Sequence, residues 1–368
     1  MRILQLGKFY PVRGGVEKVM WDLSRGLSAR GIHCDMLCAA LSSDMPSGGA
    51  VTFNEYGRCI CVRALSKRFA TMLSPAMIFW LRRHCAEYDI IHIHHPDPMA
   101  CVALRLSGYK GKVVVHWHSD ILKQKMLLVL YKPLQKWMLS RADVVVGTTG
   151  QYVDGSRCLD DVRGKLTWFP IGIEDNMRMV SAPGVKDTVH TVLGVGRLVS
   201  YKGFEHLVSA ARYLPDNYRI VIVGTGPEEE RLKAAATALE GACPVEFTGY
   251  MPDERLKETF NACDVFVLPS TMKTEAFGIV QLEAFCCGKP VVATKIPGSG
   301  TSWVNEDGVS GINVPVADPK AIADAVKTIC EDRAGYALFC RNARERYERF
   351  FTLDEMVDNA VRLYESLQ

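Results

Sequence analysis

The strongest constraint on the fold of this chain is the regular alternation of short apolar runs with helical patterns along most of its length. Apolar runs such as Val113–His116 and Val265–Leu268 have the length of buried strands, and amphipathic stretches such as Val16–Ala29 separate them. This alternation is typical of β-α-β units, in which parallel strands are joined by crossover helices. The pattern lapses over Gly172–Thr188, which is polar and interrupted by Pro and Gly, and then restarts.

The sequence therefore predicts an α/β protein with two Rossmann-like, doubly wound domains. Its 368 residues exceed the about 250–300 residues at which chains usually split into domains. We expect an N-terminal domain over residues 1–173, a linker over 174–188, a C-terminal domain over 189–350 and a final helical segment over 351–368 that can pack back on the N-terminal domain. Ligands of such sheets bind at the carboxyl ends of the strands, so we expect a site in the cleft that the two domains face.

The cysteines and the N-terminus indicate the compartment. The 13 cysteines are dispersed, many lie in apolar patterns, and no C-x-x-C occurs, which predicts buried reduced thiols. No apolar run approaches the roughly 18–20 residues of a membrane span, and the first residues lack a signal-peptide core. We therefore expect a cytoplasmic protein.

Charge is distributed unevenly along the chain. Residues 1–175 carry 23 basic and 15 acidic residues (+8), and the remainder carries 44 − 23 = 21 basic and 41 − 15 = 26 acidic residues (−5). The excess concentrates in Arg58–Arg83 and Leu122–Arg141, where Lys and Arg alternate with Leu, Met, Trp and Phe. Such segments are either solvated helix faces or a surface for anionic lipid headgroups, here the inner face of the plasma membrane. No nucleic-acid-binding motif accompanies the moderate pI of 8.2, so we expect no nucleic-acid partner.

Three glycine-containing loops follow strand patterns and open helical patterns, which is where backbone N–H groups attract phosphate. The first contains Gly14 and Gly15; the second runs from Gly196 through Arg197 to Lys202; the third contains Gly226. A guanidinium and an ammonium from one loop can clamp a diphosphate. Each feature has a structural alternative: a plain turn at Gly14 and Gly15, two solvated loop cations at Arg197 and Lys202, and a helix cap in the third loop.

Two carboxylates mark the most informative segment, Leu268–Thr294. Glu275 falls in the loop after a strand, and Glu283 falls inside the next helix, so the two lie at different depths along one ligand. Between them, Phe277, Gly278, Ile279 and Val280 start the helix expected over Phe277–Cys287 and offer backbone N–H groups to phosphate oxygens. Carboxylates repel phosphate, so they suit sugar or ribose hydroxyls.

Taken in order, these segments resemble the retaining glycosyltransferases of family 4, which have the GT-B fold. The resemblance covers nearly the whole chain through GGVEKV, HWHSD, GRLVSYKG, VGTGP, FTGYMP and EAFGIVQLE. It implies that Arg197 and Lys202 hold the donor diphosphate and stabilise the leaving nucleotide. It implies hydroxyl-binding roles for Glu275 on the transferred sugar and Glu283 on the ribose. His118 would lie over the donor sugar.

The same resemblance implies backbone contacts and a reaction. The glycines near the phosphates would be Gly14, Gly15, Gly196 and Gly226, with amides from Gly278, Ile279 and Val280. The expected reaction moves a hexose from a nucleotide diphosphate sugar to a hydroxyl of a glycan or polyprenyl-diphosphate-linked acceptor, with retention. No cofactor and no metal are expected, because Arg and Lys replace Mg²⁺ and no D-x-D motif is present.

The amino-acid sequence of one segment narrows the choice of donor sugar. The same segment also departs from the family pattern. GTSWVN within Ile296–Gly308 resembles bacterial mannosyl- or rhamnosyltransferases of O-antigen or capsule synthesis, which favours GDP-mannose as donor. Many members have Gly-Gly-x-x-Glu there, and this chain has no Glu at that place.

Rival functions stay open at this point. His116, His118 and Asp120 partly match the H-x-H-x-D pattern of metal-dependent hydrolases, although Ile121 replaces the His that completes it. A GT-B epimerase or phosphorylase keeps the fold and changes the chemistry. A degenerate scaffold is disfavoured by the intact cations and acids of the second half.

Overall fold

The computed structural model describes residues 1–68, 71–121, 125–178, 189–239 and 242–368. They form two compact units, the first combining Met1–Gly172 with Leu353–Gln368 and the second comprising Ile173–Thr352. Residues at the start of the expected linker lie with the second unit, where Asp175 Oδ1 accepts a hydrogen bond of 2.8 Å from Arg344 Nη1. Residues 179–188 of that linker lie outside the described residues.

The first unit is built on a mainly parallel sheet with the order β10-β9-β8-β7-β1-β2-β4-β3. Its strands are β1 (Arg2–Phe9), β2 (His33–Ala40), β3 (Ala50–Asn54), β4 (Gly57–Arg63), β7 (Ile90–His95), β8 (Lys112–Trp117), β9 (Val144–Gly147) and β10 (Leu166–Trp168), with a separate antiparallel hairpin of β5 (Ser66–Arg68) and β6 (Thr71–Leu73). The helices are α1 (Gly15–Ala29), α2 (Pro75–His84), α3 (Pro98–Ser107), α4 (Lys125–Arg141) and α5 (Gly150–Asp154). Within the eight-stranded sheet of the described residues, the edge strand β3 runs antiparallel to β4, and the other strand pairs are parallel.

The strand order of the first sheet reverses between β1 and β7. Ile3 pairs in register with Cys34 on one side and with Ile90 on the other. The central strands are buried except near their ends and read as nearly continuous apolar runs, as expected for parallel strands covered on both faces. This is why the sequence located them.

The second unit has a parallel sheet with the order β13-β12-β11-β14-β15-β16, which is the Rossmann order. Its strands are β11 (His190–Val195), β12 (Tyr218–Val223), β13 (Val245–Gly249), β14 (Val265–Leu268), β15 (Val291–Thr294) and β16 (Gly311–Val314). The helices are α6 (Phe204–Ala210), α7 (Glu229–Thr237), α8 (Asp253–Ala262), α9 (Val280–Cys286), α10 (Thr301–Val304), α11 (Pro319–Glu331) and α12 (Arg333–Phe350). The strand order reverses between β11 and β14, so their loops emerge side by side.

The last helix, α13 (Leu353–Glu365), belongs to the first unit. It packs on α1 at Gly26, where a Cβ atom would lie 2.4 Å from Val357 Cγ2. Near its end, the buried Tyr364 hydroxyl accepts a hydrogen bond of 3.0 Å from Gln5 Nε2 and lies 2.6 Å from His92 Nδ1. The final helix is therefore part of the core of that unit.

The expected α/β class is confirmed, and some elements differ from the prediction. The strands β3, β5, β6 and β16 were not expected. The helix predicted over Phe277–Cys287 begins only at Val280.

Candidate active site

Two loops of the second unit meet at the carboxyl edge of its sheet. One follows β11 and the other follows β14, and the Thr271 N–H donates a hydrogen bond of 2.8 Å to the Tyr201 carbonyl. Gly203 allows this approach because its φ is +65° and a Cβ atom there would lie only 2.1 Å from the Pro269 carbonyl oxygen. The strand-order reversal is where sheets of this type bind ligands.

A buried ion pair joins the two loops. Lys202 Nζ lies 2.6 Å from Glu275 Oε2, and these side chains are 13% and 11% exposed. The Ser270 hydroxyl donates a hydrogen bond of 3.0 Å to the same carboxylate oxygen. The Ser299 hydroxyl holds the Glu275 backbone by donating to its carbonyl at 2.5 Å. The Glu275 side chain is thus positioned before any ligand binds.

The charges around this pair favour a protonated lysine. Burial disfavours the charged form of Lys202, but Glu275, Tyr201 and Glu283 outweigh it and raise the pKa of Lys202 above its usual value. Arg197 is exposed. Burial raises the pKa of Tyr201, while the positive charges of Lys202 and Arg197 act against that rise. Lys202 therefore interacts electrostatically with Glu275 and Glu283, and Tyr201 interacts with both Lys202 and Arg197.

The glycines and amides of the second unit that the sequence singled out lie in different surroundings. Gly278 has a φ of +77°, Ile279 caps α9 and Val280 begins it. A Cβ atom at Gly196 would lie 3.7 Å from Lys202 Nζ. Gly226 packs against the backbone of the β11 loop, where a Cβ atom would lie 2.3 Å from the Leu198 carbonyl oxygen. The need for glycine at 226 is thus explained by loop packing.

The remaining candidates belong to the first unit. Gly14 is the N-cap of α1 and Gly15 is its first residue. The side chain of Glu17 reaches back over Gly14, since a Cβ atom there would lie 2.2 Å from Glu17 Oε2. His118 is buried after β8, and its Nε2 lies 2.8 Å from His94 Nδ1. Burial, together with His116 and Lys8, holds the pKa of His118 well below its usual value, so the ring is neutral.

The histidine-rich segments do not assemble as the hydrolase alternative requires. In the described part of the chain, ring nitrogens of His92, His94 and His116 lie within 4.8 Å of one another. Asp120 Oδ1 instead accepts hydrogen bonds of 2.9 Å from Trp117 Nε1 and 2.6 Å from the Ser156 hydroxyl. These contacts favour a structural role for Asp120.

Sequence reasoning missed Ser270, Tyr201 and Ser299, which support the ion pair. Ser270 had a weak signal, because it follows the apolar run of β14 at the edge where Glu275 was expected. Recognising Tyr201 requires the neighbouring positions of β11 and β14, and recognising Ser299 requires the position of the loop after β15.

Comparisons with known proteins identify the family of the chain. Residues 13–176 match the family model Glycosyltransferase Family 4, and residues 178–346 match Glycosyl transferases group 1. O-antigen chain mannosyltransferase C of Escherichia coli is 34% identical over 374 residues, which cover 100% of this chain and 99% of the relative. D-rhamnosyltransferase WbpZ of Pseudomonas aeruginosa is 33% identical over 361 residues, which cover 96% of this chain and 92% of the relative.

Among solved structures, sucrose-phosphate synthase from Thermosynechococcus elongatus superposes with a TM-score of 0.81 at 22% identity, covering 100% of this chain and 99% of that chain. This likeness supports the fold. The expected resemblance is confirmed: the chain belongs to the family 4 glycosyltransferases and has their GT-B fold.

Proposed function

We propose that this glycosyltransferase moves a hexose, with mannose favoured, from a nucleotide diphosphate sugar to a hydroxyl of a glycan or lipid-linked oligosaccharide in cell-surface polysaccharide synthesis. The observation that carries the proposal is the buried Lys202–Glu275 pair at the strand-order reversal of a Rossmann sheet. The relatives named as O-antigen mannosyltransferase and D-rhamnosyltransferase support the choice of sugar and product.

The cations supply the diphosphate contacts in this proposal. An ammonium has three N–H donors, and Lys202 uses one for Glu275, so the others can serve phosphate oxygens. Arg197 adds a forked guanidinium from the same loop. Backbone amides at Gly278, Ile279 and Val280 of the second unit add N–H donors for phosphate oxygens.

The acids supply the hydroxyl contacts. Both hydrogen bonds to the Glu275 carboxylate fall on Oε2. Oε1 can therefore accept hydrogen bonds from hydroxyls of the transferred sugar. Glu283, in the first turn of α9, serves the ribose hydroxyls. The family resemblance also assigns His118 of the first unit, whose ring is neutral, to the donor sugar.

The chemistry is a front-face substitution with retention. The bond between the anomeric carbon and the phosphate oxygen breaks, and a bond from the acceptor oxygen forms on the same face. The acceptor proton passes to the departing phosphate oxygen, giving a nucleoside diphosphate and the new glycoside. Lys202 and Arg197 stabilise the negative charge that develops on the phosphate, so the reaction proceeds without a metal.

Turnover of site variants tests the proposal. Lys202→Ala and Glu275→Ala should each lower nucleotide release by at least about a hundredfold, the scale of one lost transition-state contact. Lys295→Ala is the matched control, because Lys295 Nζ forms an exposed pair of 2.9 Å with Asp307 in the same unit. Near-normal rates in both site variants would contradict the assignment.

A donor screen tests substrate and reaction class. GDP-mannose should protect the chain against thermal unfolding more than UDP- or dTDP-sugars, since a ligand that binds only the folded state raises its apparent stability. Turnover should require an acceptor, ignore orthophosphate, persist in EDTA and give a product with the donor's anomeric configuration. Sugar-nucleotide conversion without acceptor would instead identify an epimerase.

We also propose that this enzyme is cytoplasmic and makes peripheral contact with anionic lipid through its first unit. Among the described residues, no helix is both long and apolar enough to cross a bilayer. The helices α2, α3 and α4 pack in series. They carry the exposed apolar residues Phe79, Val129 and Leu130, at 73%, 70% and 79% exposure, within the two basic segments. Exposed apolar groups among cations suit a negatively charged membrane surface.

Vesicle sedimentation tests this contact. The chain should bind vesicles containing phosphatidylglycerol and should bind pure phosphatidylcholine weakly, with binding that falls as salt rises. Phe79→Glu with Leu130→Glu should abolish it. Leu338→Glu, an exposed position of the second unit, should leave it intact. Equal binding of all forms would contradict a specific surface.

A further inference from the structure

Three cysteine thiols of the first unit form a compact triangle that the proposed function does not use. Cys59 and Cys61 lie two residues apart on β4 and therefore share one face of the sheet. Cys61 pairs in register with Cys38 of the neighbouring strand β2. The Sγ–Sγ distances are 3.5 Å for Cys38–Cys59, 3.7 Å for Cys38–Cys61 and 3.9 Å for Cys59–Cys61. All three residues are buried.

We propose that this thiol triangle, Cys38, Cys59 and Cys61, is a binding site for copper(I). With metal–sulfur distances of about 2.3 Å, thiolate ligands lie about 3.8 Å apart in tetrahedral geometry and about 4.0 Å apart in trigonal geometry. The observed separations need adjustments of only a few tenths of an ångström to match. Strand pairing therefore holds the sulfur atoms close to coordinating positions.

The surroundings of the triangle select a soft ion. Met20 and Met36 are fully buried in the same cluster, and Trp21 and Phe53 pack against it. Structural zinc sites almost always take four ligands, and the triangle supplies three. Thiolate sulfur suits copper(I), so a set of three thiols favours copper(I) over zinc.

The charges of the thiols and of the nearby Arg63 are consistent with this assignment. Each coordinating thiol gives up its proton on binding, so binding strengthens as pH rises. Arg63 is the next residue beyond Cys61 on the same face of β4, and it is exposed. Its charge offsets part of the negative charge of the thiolate complex.

Anaerobic titration of the reduced full chain with copper(I), in competition with bathocuproine disulfonate, tests the proposal. We expect one copper per chain bound at this site and at least about a hundredfold weaker binding in Cys59→Ala, the upper end of the loss seen for changes in metal-site partners. Cys243→Ala removes a buried thiol of the second unit and should bind as the parent does. A triangle that serves only packing would give Cys59→Ala and Cys243→Ala equal affinities, which overturns the proposal.

X-ray absorption of the copper-loaded parent chain keeps the test independent of how the variants fold. The expected spectrum has three sulfur neighbours at about 2.3 Å. Nitrogen or oxygen neighbours, or fewer than three sulfurs, would overturn the assignment of the triangle as the ligand set.

Discussion

Removing one charge of the Lys202–Glu275 pair should strongly destabilise the second unit. Both side chains are almost nine-tenths buried, and their charged atoms are 2.6 Å apart. Lys202→Met leaves the Glu275 carboxylate with the Ser270 hydroxyl as a neutral donor and without its ammonium partner. Breaking a buried pair in this way costs about 3–5 kcal/mol, because the remaining charge is uncompensated.

We expect a loss of about 3 kcal/mol for Lys202→Met, at the lower end of that range because the pair retains some exposure. This corresponds to a roughly 140-fold larger opening constant. The double variant Lys202→Met/Glu275→Leu removes both charges, so its loss should be much smaller than the sum of the two single losses.

Hydrogen exchange of β14 peptides measures this loss, because amides in core strands exchange through opening of the surrounding unit. The second unit is then followed separately from the first. Lys295→Met is the control; its exposed pair with Asp307 should contribute less than about 1 kcal/mol.

The pH dependence of the unfolding free energy gives a second measure of what Lys202 contributes to stability. The pKa of Lys202 is raised in the folded chain. Its contribution to the free energy of unfolding is therefore complete below the pKa of the unfolded chain, about 10.4, and disappears as pH rises through the pKa of the folded chain. The difference in unfolding free energy between the parent and Lys202→Met should therefore be constant from neutral pH to about pH 10 and shrink above it. Two results would refute the reasoning. One is a hydrogen-exchange rate of β14 in Lys202→Met that stays within about threefold of the parent rate. The other is a loss of stability in the double variant that equals the sum of the two single losses.

Two further changes test the backbone and the final helix. Gly203→Ala should lower the free energy of unfolding, measured by thermal unfolding, by more than about 2 kcal/mol, because its Cβ would clash with a carbonyl. Gly249→Ala, with a similar φ of +70° and open space, should lower it by about 1 kcal/mol, and equal losses would refute the clash. Tyr364→Phe should lose about 1–3 kcal/mol and speed hydrogen exchange in α13, because two buried polar partners lose their hydroxyl. Tyr250→Phe, at an exposed position, should change neither; the same result for Tyr364→Phe would contradict the role of its hydroxyl.

The fold was largely predictable because buried parallel strands read directly as apolar runs. The expected bounds of β14, Val265–Leu268, agree with the structure. The short strand β16 has the sequence GINV and follows a polar stretch, so nothing in its pattern distinguished it from a loop. The edge strand β3 is half-exposed, and its alternation is too short to detect.

The sequence indicated which residues form the candidate site, and it did not indicate the contacts between them. The residue types and their places after strands indicated Lys202 and Glu275, but their direct bond depends on the adjacency of β11 and β14, which only the sheet order reveals. Similarly, helical periodicity placed the start of α9 too early, because Gly278 adopts a left-handed conformation that periodicity does not encode.

The return of α13 to the first unit sets an order for biosynthesis. The ribosome delivers all of Ile173–Thr352 before it makes the helix that covers α1. The nascent first unit therefore waits with an apolar groove open beside Gly26, while the second unit can fold as soon as it leaves the exit tunnel. The core of the first unit is therefore complete only after translation has passed Leu353.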